Sequence, residues 1–297
     1  MSEFLLELYS EEIPPQLQIS ARKQLKQLLE RSLEEEGIIY KECSEFSSPT
    51  RLSLLIKGLP EKIKIKAKEI KGPKVGVPEN ILQGFIKAKN VFQKDLFEKE
   101  TKKGKFYFIK TVSKNISVDD LLIKILPKAM SSISWKKSMK WSTNSLMWGR
   151  PLRSIFAIFN KKKLLFKYQH LESTDNIIIE QDLISKSKKI KEFKEYVAFL
   201  KSNKIIFDHN ERQKIILKRF KAISKTKNYK ENYNLKLLEE VINIVEDPNI
   251  LLVDFNKEYL KIPQEIIIST LEKNQRYFPI FDSSDRLTNY FFVVANK

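Results

Sequence analysis

Apolar and polar residues alternate at the start of the chain, where Phe4, Leu6 and Leu8 recur at every second position. This period of two predicts a β-strand with one buried face. After Pro14 and Pro15, which suit the first turn of a helix, the apolar period becomes that of an α-helix. The helical stripe consists of Ala21, Leu25, Leu28, Leu29 and Leu33. We therefore predict a strand followed by a long helix.

Two further strands are predicted directly after this helix, which Gly37 ends. They cover residues 38–46 and 52–56, and a turn around Ser48 and Pro49 separates them. The first sixty residues thus form a predicted βαββ unit.

The remaining chain predicts a mixture of short strands and helices. Further strands are predicted at residues 61–71, 106–112, 155–159, 164–168, 205–207, 250–255, 277–281 and 289–295. Further helices are predicted at residues 80–89, 117–130, 190–200, 210–223, 235–245 and 263–271. The fold class is α+β and multi-domain, with mixed, mostly antiparallel sheets and packed helices. The length of 297 residues predicts two domains, at residues 1–150 and 151–297.

The charge balance is strongly basic. Lysine and arginine outnumber aspartate and glutamate by 55 to 37, which gives a formal net charge of +18. A charge of this size draws a protein toward polyanions, either nucleic acid or an anionic membrane surface. The abundance of lysine, isoleucine and asparagine is equally typical of a coding bias toward A and T. Charge alone therefore does not decide the function.

The sequence predicts a cytoplasmic protein with no membrane partner. The single cysteine, Cys43, cannot form a disulfide or a thiolate metal cluster within the chain, so we expect a reducing compartment. The N-terminus lacks the basic and apolar segments of a signal peptide. No stretch approaches the roughly 20 apolar residues of a membrane span.

No motif of nucleophilic, metal or phosphate chemistry stands out. His170 and His209 are far apart in sequence and do not belong to a metal-ligand spacing. Neither a nucleophile elbow nor a phosphate-binding glycine loop is present. Adjacent acids such as Glu239 and Glu240 would point in different directions on a helix. We expect neither catalytic residues nor a metal site in this chain.

Residues 135–153 are the strongest candidate for binding RNA. They contain all three tryptophans, Trp135, Trp141 and Trp148, among lysines and arginines, and their poor periodicity predicts an ordered loop. RNA bases stack on aromatic rings while lysine and arginine contact phosphates. An equally good interpretation places the tryptophans in the core and the lysines at its rim. Both interpretations stay open at this point.

Two other segments concentrate positive charge. The first group consists of Lys214, Lys218, Arg219 and Lys221. These residues share a predicted helix, and a solvated helix face is the favoured interpretation. Lys273 and Arg276 lie at a predicted helix-to-strand turn, a position suited to phosphate contacts.

Several short islands, in their order along the chain, resemble the beta subunit of bacterial heterotetrameric glycyl-tRNA synthetase. They are FLLEL at 4–8, SEEIPP at 10–15, SPTRL at 48–52, KGP at 71–73, KSMKW at 137–141, GRPL at 149–152, LLEEV at 237–241, VEDP at 245–248, YLKIPQE at 259–265, NQRYFP at 274–279 and FVVAN at 292–296. Each island is weak alone, but their order across almost the whole chain is specific.

The resemblance implies a function in translation. The complete enzyme is a glycine–tRNA ligase, which attaches glycine to its tRNA with ATP and Mg²⁺. Its active site is expected on a separate alpha subunit, so this chain is expected to bind no cofactor itself. The beta subunit is expected to bind glycine tRNA and the catalytic alpha subunit within a heterotetramer.

Three departures from the family pattern limit what can be transferred. The family's beta subunit continues into an HD-type domain and a C-terminal anticodon-binding domain, so we expect this chain to be a fragment or one half of a split gene. The segment after Gly72 and Pro73 is shorter than the family's basic, glycine-containing loop. A Gly-His-Arg-Phe island expected after residue 170 is missing, and residues 171–174 read LEST instead.

The sequence thus predicts the N-terminal body of the beta subunit. Candidate RNA contacts are Arg51, Lys137, Lys140, Trp141, Arg150, Arg153, Lys273 and Arg276. Three alternatives stay open: a free-standing RNA-binding protein, a module that hydrolyses mischarged tRNA, and a non-functional remnant.

Overall fold

The computed structural model describes residues 2–65, 69–89, 91–101, 104–110, 114–141, 143, 145–181, 184–230 and 233–296. Contacts divide the chain into two compact units. One unit joins Met1–Pro60 to Leu122–Lys297, and the other is Glu61–Leu121. This division differs from the predicted boundary at residue 150, because strands from both sides of that position pair in one sheet. No helix among the described residues is long and apolar enough to cross a membrane.

The elements alternate irregularly along the chain. The strands are β1 (Glu3–Ser10), β2 (Glu42–Ser48), β3 (Arg51–Lys57), β4 (Lys62–Ile65), β5 (Glu69–Lys74), β6 (Leu96–Thr101), β7 (Gly104–Lys110), β8 (Lys114–Ser117), β9 (Leu152–Phe159), β10 (Lys162–Lys163), β11 (Lys167–Tyr168), β12 (Leu171–Glu172), β13 (Asn176–Gln181), β14 (Ile184–Lys189), β15 (Tyr229–Lys230), β16 (Pro248–Asp254), β17 (Phe278–Asp282) and β18 (Leu287–Asn296). The helices are α1 (Pro15–Glu35), α2 (Glu79–Lys89), α3 (Val118–Ser131), α4 (Phe193–Ser202), α5 (His209–Lys227), α6 (Leu235–Ile242) and α7 (Gln264–Ser269), with 3₁₀ turns at Gln93–Asp95 and Lys257–Lys261 and a π-helical turn at Thr270–Asn274.

The larger unit is built on a five-stranded sheet in the order β10-β9-β1-β3-β2. Its pairings are antiparallel, and β1 lies in the centre between β3 and β9. The predicted alternation of β1 places Phe4, Leu6 and Leu8 on one buried face, which α1 covers through its contacts with β2 and β3. A two-residue turn joins β9 to β10, and both Asn160 and Lys161 have positive φ, as a type I′ hairpin requires.

The opposite face of this sheet packs against the β13–β14 hairpin and α4. Leu5 and Ile158 meet Ile177, Tyr196 and Leu200 in one buried apolar cluster. Because neighbouring residues of a strand point to opposite faces, both faces of β1 are buried, and the strand therefore carries an almost continuous apolar run.

A buried ion pair lies within this second face. Arg51 Nε is 3.1 Å from a Glu7 carboxylate oxygen, and each side chain is only 2% exposed. The Tyr196 hydroxyl donates to the same carboxylate at 2.7 Å, so Ser53 Oγ, 2.8 Å away, donates to the tyrosine oxygen. Burial raises the pKa of Glu7, and the Arg51 guanidinium opposes that rise. The pair links β1, β3 and α4.

A second sheet, in the order β15-β17-β18-β16, forms the C-terminal part of the same unit. α5 and α6 pack on it around Phe220, Phe278 and Phe292, and the rings of Phe220 and Phe292 stack with centroids 4.4 Å apart. α6 is strongly amphipathic, and its buried face includes Leu238 and Val241.

Buried polar side chains join this part to the first sheet. Arg212 of α5 is fully buried and donates to three carbonyls, those of Ile206, Ile242 and Ser47, at 2.5 Å, 2.8 Å and 2.9 Å. Arg22 of α1 donates to Ser47 Oγ at 2.9 Å. Since these donors on α1 and α5 reach α6, β2 and the segment before α5, the two arginines hold five segments together.

The described part of the smaller unit includes two sheets and the helix α2. β4 pairs with β8, and β7 lies between β5 and β6. Gly72 allows close packing, because a Cβ atom there would lie 2.7 Å from the ring of Phe85 on α2. The Lys71 ammonium lies over the Phe106 ring, 3.4 Å from its centroid.

The predicted α+β class, antiparallel sheets and N-terminal βαββ unit are confirmed. Four predicted strands or helices need correction. The strand predicted at 38–46 begins at Glu42. The strand predicted at 164–168 is shorter and covers only Lys167–Tyr168. The helix predicted at 263–271 becomes a π-helical turn at Thr270. The strand predicted at 205–207 is irregular, because Ile205 and Phe207 alternate into the core without a β partner.

Among the described residues, seven strands escaped prediction: β6, β8, β10, β12, β13, β14 and β15. The two 3₁₀ turns also escaped it. The predicted strands at 61–71 and 106–112 lie partly outside the described residues.

Replacing Arg51 should destabilise the larger unit strongly. Arg51→Met leaves the Glu7 carboxylate buried beside no cation, and we expect a loss of about 3–5 kcal/mol in the free energy of unfolding. Urea unfolding followed by tryptophan fluorescence measures it. The double variant Arg51→Met, Glu7→Gln should lose less stability than the sum of the two single variants.

Arg31→Met, at an exposed pair with Glu35, is the control and should change stability by less than about 0.5 kcal/mol. An Arg51→Met loss as small as that of the control would contradict a structural role for the pair.

Acidification should destabilise the same unit through His209. Burial, together with Arg22 and Arg212, lowers the pKa of His209 to about 3. The unfolded chain titrates near its ordinary value of about 6.5, so between these values only the unfolded state takes up the proton and stability falls as pH falls. Between about pH 7 and pH 5, wild type should lose about 2 kcal/mol more than His209→Gln. Equal losses would show that His209 is not buried as a neutral imidazole. Because Glu7 is common to both proteins, its own titration cancels in this comparison.

Candidate nucleic-acid interface

The tryptophan-rich segment is an ordered loop anchored to α1. The Gln24 side chain accepts from Ser134 N at 2.9 Å and donates to Ser134 O at 3.0 Å. Further on, Met139 and Trp148 exchange two main-chain hydrogen bonds of 2.8 Å and 3.2 Å. These contacts fix both ends of the part between residues 139 and 148. We call residues 135–150, which include this part and both flanks, the aromatic loop. Residues 142 and 144 lie outside the described residues.

The three tryptophans have different environments. Trp148 is 1% exposed and packs against Trp135 and Tyr168, with centroids 4.9 Å and 6.2 Å apart. Trp135 is half-buried. Its ring packs so closely on Gly149 that a Cβ atom added to this glycine would lie only 2.4 Å from a ring carbon. Trp141 is half-buried against the His170 ring at 6.1 Å. The core interpretation therefore describes Trp148, whereas Trp135 and Trp141 keep part of their rings at the surface.

Positive charge surrounds these partly exposed rings. Lys137 and Lys140 are exposed and form no ion pair within the described part of the chain. Arg150 is half-buried and donates to the Gly149 carbonyl at 2.9 Å. Lys137, Lys140, Trp141 and Arg150 all lie in this loop, and their contact with RNA stays a prediction. Flat rings beside unpaired cations can stack bases and contact phosphates.

Arg153 lies just beyond the loop, in β9, and is already paired. Its guanidinium forms ion pairs with Glu11 at 2.5 Å and with Glu180 at 3.1 Å. The hydrogen bond to Glu11, with Coulombic help from Glu180, raises the pKa of Arg153. A phosphate would have to compete with two carboxylates for this arginine.

Arg51 is placed differently from the sequence prediction. It is 1% exposed, paired with Glu7 and stacked over the Tyr9 ring at 4.5 Å. A guanidinium enclosed in this way cannot meet an external phosphate in this conformation. The prediction of an RNA contact at Arg51 is corrected to a structural role, because the alternation of β3 turns this side chain into the sheet's covered face.

Lys273 and Arg276 line a cavity of about 260 Å³ at the end of the π-helical turn, together with residues of α6. Arg276 has a positive φ of 61° and forms an ion pair of 2.7 Å with Glu240. Lys273 is exposed. The lining of this cavity includes no residue of the aromatic loop, so the predicted contacts do not form one continuous described site.

Sequence reasoning missed a group of buried polar residues at the start of α5. Arg22, His209 and Asn243 line the same cavity of about 450 Å³. A signal for Arg22 exists in the sequence: it shares the helical face of Leu25 and Leu29, which predicts a buried arginine. His209 and Asn243 carry no such signal. Among the residues that the structure describes, no three His, Cys, Asp or Glu side chains converge to hold a metal ion.

The similarity to known proteins identifies the class of protein to which the chain belongs. Residues 4–297 match the family model described as glycyl-tRNA synthetase beta subunit, which places the chain among the subunits of aminoacyl-tRNA synthetases. The chain belongs to the glycyl-tRNA synthetase beta subunit family.

Individual relatives agree with this assignment. The chain is 32% identical over 298 residues to the glycine–tRNA ligase beta subunit of Rickettsia felis, covering 100% of this chain and 45% of the relative. Identity to the Rickettsia prowazekii protein of the same name is 34%, over 100% of this chain and 44% of that protein. For Dictyoglomus turgidum it is 32%, over 99% and 43%. The chain therefore spans less than half the length of these relatives.

The contact between Gly149 and Trp135 provides a test of the loop. In Gly149→Ala, the new methyl group would displace the Trp135 ring, and we expect a loss of about 1–3 kcal/mol in stability with a shift in tryptophan emission. Chemical unfolding and fluorescence spectra measure the two effects. Gly84→Ala on α2, where no atom lies within 4 Å of the new methyl, should leave the emission unchanged. An unchanged spectrum for Gly149→Ala would mean that Trp135 does not occupy this position.

Proposed function

We propose that this chain is the N-terminal part of the beta subunit of a glycine–tRNA ligase, and that it binds glycine tRNA and the catalytic alpha subunit. The ligase would attach glycine to its tRNA in the cytoplasm, using ATP and Mg²⁺ on the alpha subunit. The heterotetrameric assembly of the resembled family is part of the same proposal.

One observation carries this proposal above the others. The family match runs from residue 4 to residue 297, and relatives named as glycine–tRNA ligase beta subunits align with the chain from end to end. A similarity confined to one domain would be compatible with a free-standing RNA-binding protein. Its extension through both compact units supports the assignment to the N-terminal part of the subunit.

The chemistry of the described surface is compatible with a positioning role. The aromatic loop offers exposed ammonium groups at Lys137 and Lys140 beside the partly exposed ring of Trp141. Such a surface can hold a polyanion through phosphate contacts and base stacking without breaking a bond. Binding of this type depends strongly on salt, because each phosphate contact releases counterions.

We expect the wild-type 297-residue chain to bind glycine tRNA with a steep salt dependence. Lys137→Gln combined with Lys140→Gln should weaken binding and lower the slope of log affinity against log salt by about one to two units. Fluorescence anisotropy with labelled tRNA, between about 50 and 200 mM salt, measures both quantities. Neither lysine is buried, so thermal unfolding should be unchanged.

The matched control is Lys257→Gln with Lys261→Gln, which removes two exposed, unpaired charges from the turn after β16. An equal effect in the control would mean that tRNA binding depends on the net charge of the chain and not on the positions of Lys137 and Lys140. Absence of tRNA binding by wild type at low salt would refute the RNA-binding half of the proposal.

The proposed binding of the catalytic alpha subunit is tested separately. Co-expression with the alpha subunit of the same organism, followed by size-exclusion chromatography, should give one complex. Separate elution would leave a free-standing RNA-binding protein as the better description. Deacylation of mischarged tRNA by the isolated chain would instead indicate an editing module.

A further inference from the structure

A cavity of about 450 Å³ lies between α1 and the starts of α5 and α6. We call it the α5 pocket. The residues that matter for its chemistry are Arg22, His209, Asn210, Gln213, Lys236 and Glu239. Its volume is in the range of about 300–1,000 Å³ that is typical of small-molecule sites.

The pocket contains buried groups that lack partners. Arg22 is 6% exposed, and its Nη1 donates to the side chains of Ser47 and Asn243. Within the described part of the chain its Nε has no hydrogen-bond partner, and the side chain forms no ion pair. His209 Nδ1 is buried and likewise has no hydrogen-bond partner there, although Asp208 Oδ1 lies 3.9 Å away. Arg212, directly behind them, donates only to main-chain carbonyls. Burial lowers the pKa of Arg22, and Glu45, Glu239 and Asp208 offset this only in part. Since none of these carboxylates forms an ion pair with Arg22 in the described structure, the pocket can still accept an anion.

The start of α5 adds to this preference. The helix has 19 residues, and its first residues, His209 and Asn210, line the pocket. The positive end of the helix dipole therefore faces the cavity. Asp208 caps the helix by accepting from Asn210 N at 2.8 Å, which leaves the Asn210 side chain available. The exposed ammonium of Lys236 stands at the rim.

Other lining groups favour a nucleotide over a bare phosphate. Glu239 is acceptor-only, so it would repel a free phosphate but accept from the amino group of a base. The Gln213 amide can donate and accept, and Leu238 and Ile242 provide apolar walls against which a flat ring can pack.

A line of lysines leads away from the pocket along α5. Lys214, Lys218, Lys221 and Lys225 are exposed and form no ion pair within the described residues. Their spacing of four, three and four residues places them on the helical face of Asn210, with successive residues about 4.5–6 Å apart along the axis. We call this line the lysine stripe. A row of unpaired cations that ends at a cavity fits a chain of phosphates with one base turned inward.

We propose that the α5 pocket takes up one unstacked nucleotide of an RNA strand, whose adjacent phosphates lie along the lysine stripe. The inference rests on the proposed function for the identity of the RNA, but the pocket's preference for a nucleotide stands on its own lining. The stripe, interpreted from sequence as a solvated helix face, becomes a second RNA-binding surface besides the aromatic loop.

The experiment compares two variants with matched controls, using the 297-residue chain. Lys214→Gln, Lys218→Gln and Lys221→Gln together should lower the salt slope of tRNA binding by about two to three units. The control triple, Lys124→Gln, Lys128→Gln and Lys194→Gln, removes the same charge from exposed positions of α3 and α4 and should lower it by less than about one unit.

The pocket itself is tested by filling it. Asn210 is exposed, so Asn210→Trp should fold normally while its ring occupies the cavity. We expect about tenfold weaker tRNA binding with an unchanged salt slope, because a stacking contact rather than a phosphate contact is lost. Gln27→Trp, at an exposed position of α1, is the control and should bind like wild type.

A third measurement distinguishes the binding of a free nucleotide from the binding of RNA. It also tests this inference independently of the proposed function. Wild type should bind adenosine monophosphate in calorimetric titration, and Asn210→Trp should not. If wild type binds no tRNA but still binds the mononucleotide in this pattern, the proposed function fails and the pocket stands. If wild type binds tRNA, and neither Asn210→Trp nor the stripe variant differs from its control, the inference is overturned while the proposed function stands.

Discussion

The joint between the two sheets of the larger unit depends on one buried guanidinium. Arg212 reaches from α5 to three main-chain carbonyls, on β2, at the end of α6 and before α5 itself. Burial lowers its pKa to about 10, which still leaves it charged at neutral pH. Carbonyl oxygens accept its hydrogen bonds, and the carboxylates of Glu246 and Asp208 offset the effect of burial only in part. The α5 pocket and the lysine stripe both lie next to this joint.

The buried and exposed cations of the chain have different functions. Arg51, Arg22 and Arg212 are enclosed and hold segments together. By contrast, Lys137, Lys140 and the lysine stripe are exposed and form no ion pair with any residue that the structure describes. The net charge of +18 therefore does not arise from one uniform surface. Exposed ammonium groups remain hydrated and can exchange counterions for phosphates, while an enclosed guanidinium is committed to the fold. The charges available for binding are therefore those on side chains that the fold does not enclose.

The two candidate surfaces complement each other chemically. The aromatic loop presents partly exposed rings fixed by the buried Trp148, so its geometry is set by the core. The α5 pocket offers a concave, partly apolar site with unsatisfied polar groups. A structured RNA could use the first as a platform and the second as a point of insertion.

Local sequence patterns were sufficient to predict the strand-helix-strand-strand start, most later elements and the family. Periods of two and 3.6 report directly which residues are buried, and strands such as β1 and helices such as α1 follow from them. The folded structure was needed to show that β9 pairs with β1, that Arg51 is enclosed beside Glu7, and that Arg22 and His209 line one cavity. These outcomes depend on contacts between residues far apart in the chain, and local periodicity carries no information about which distant segments pair.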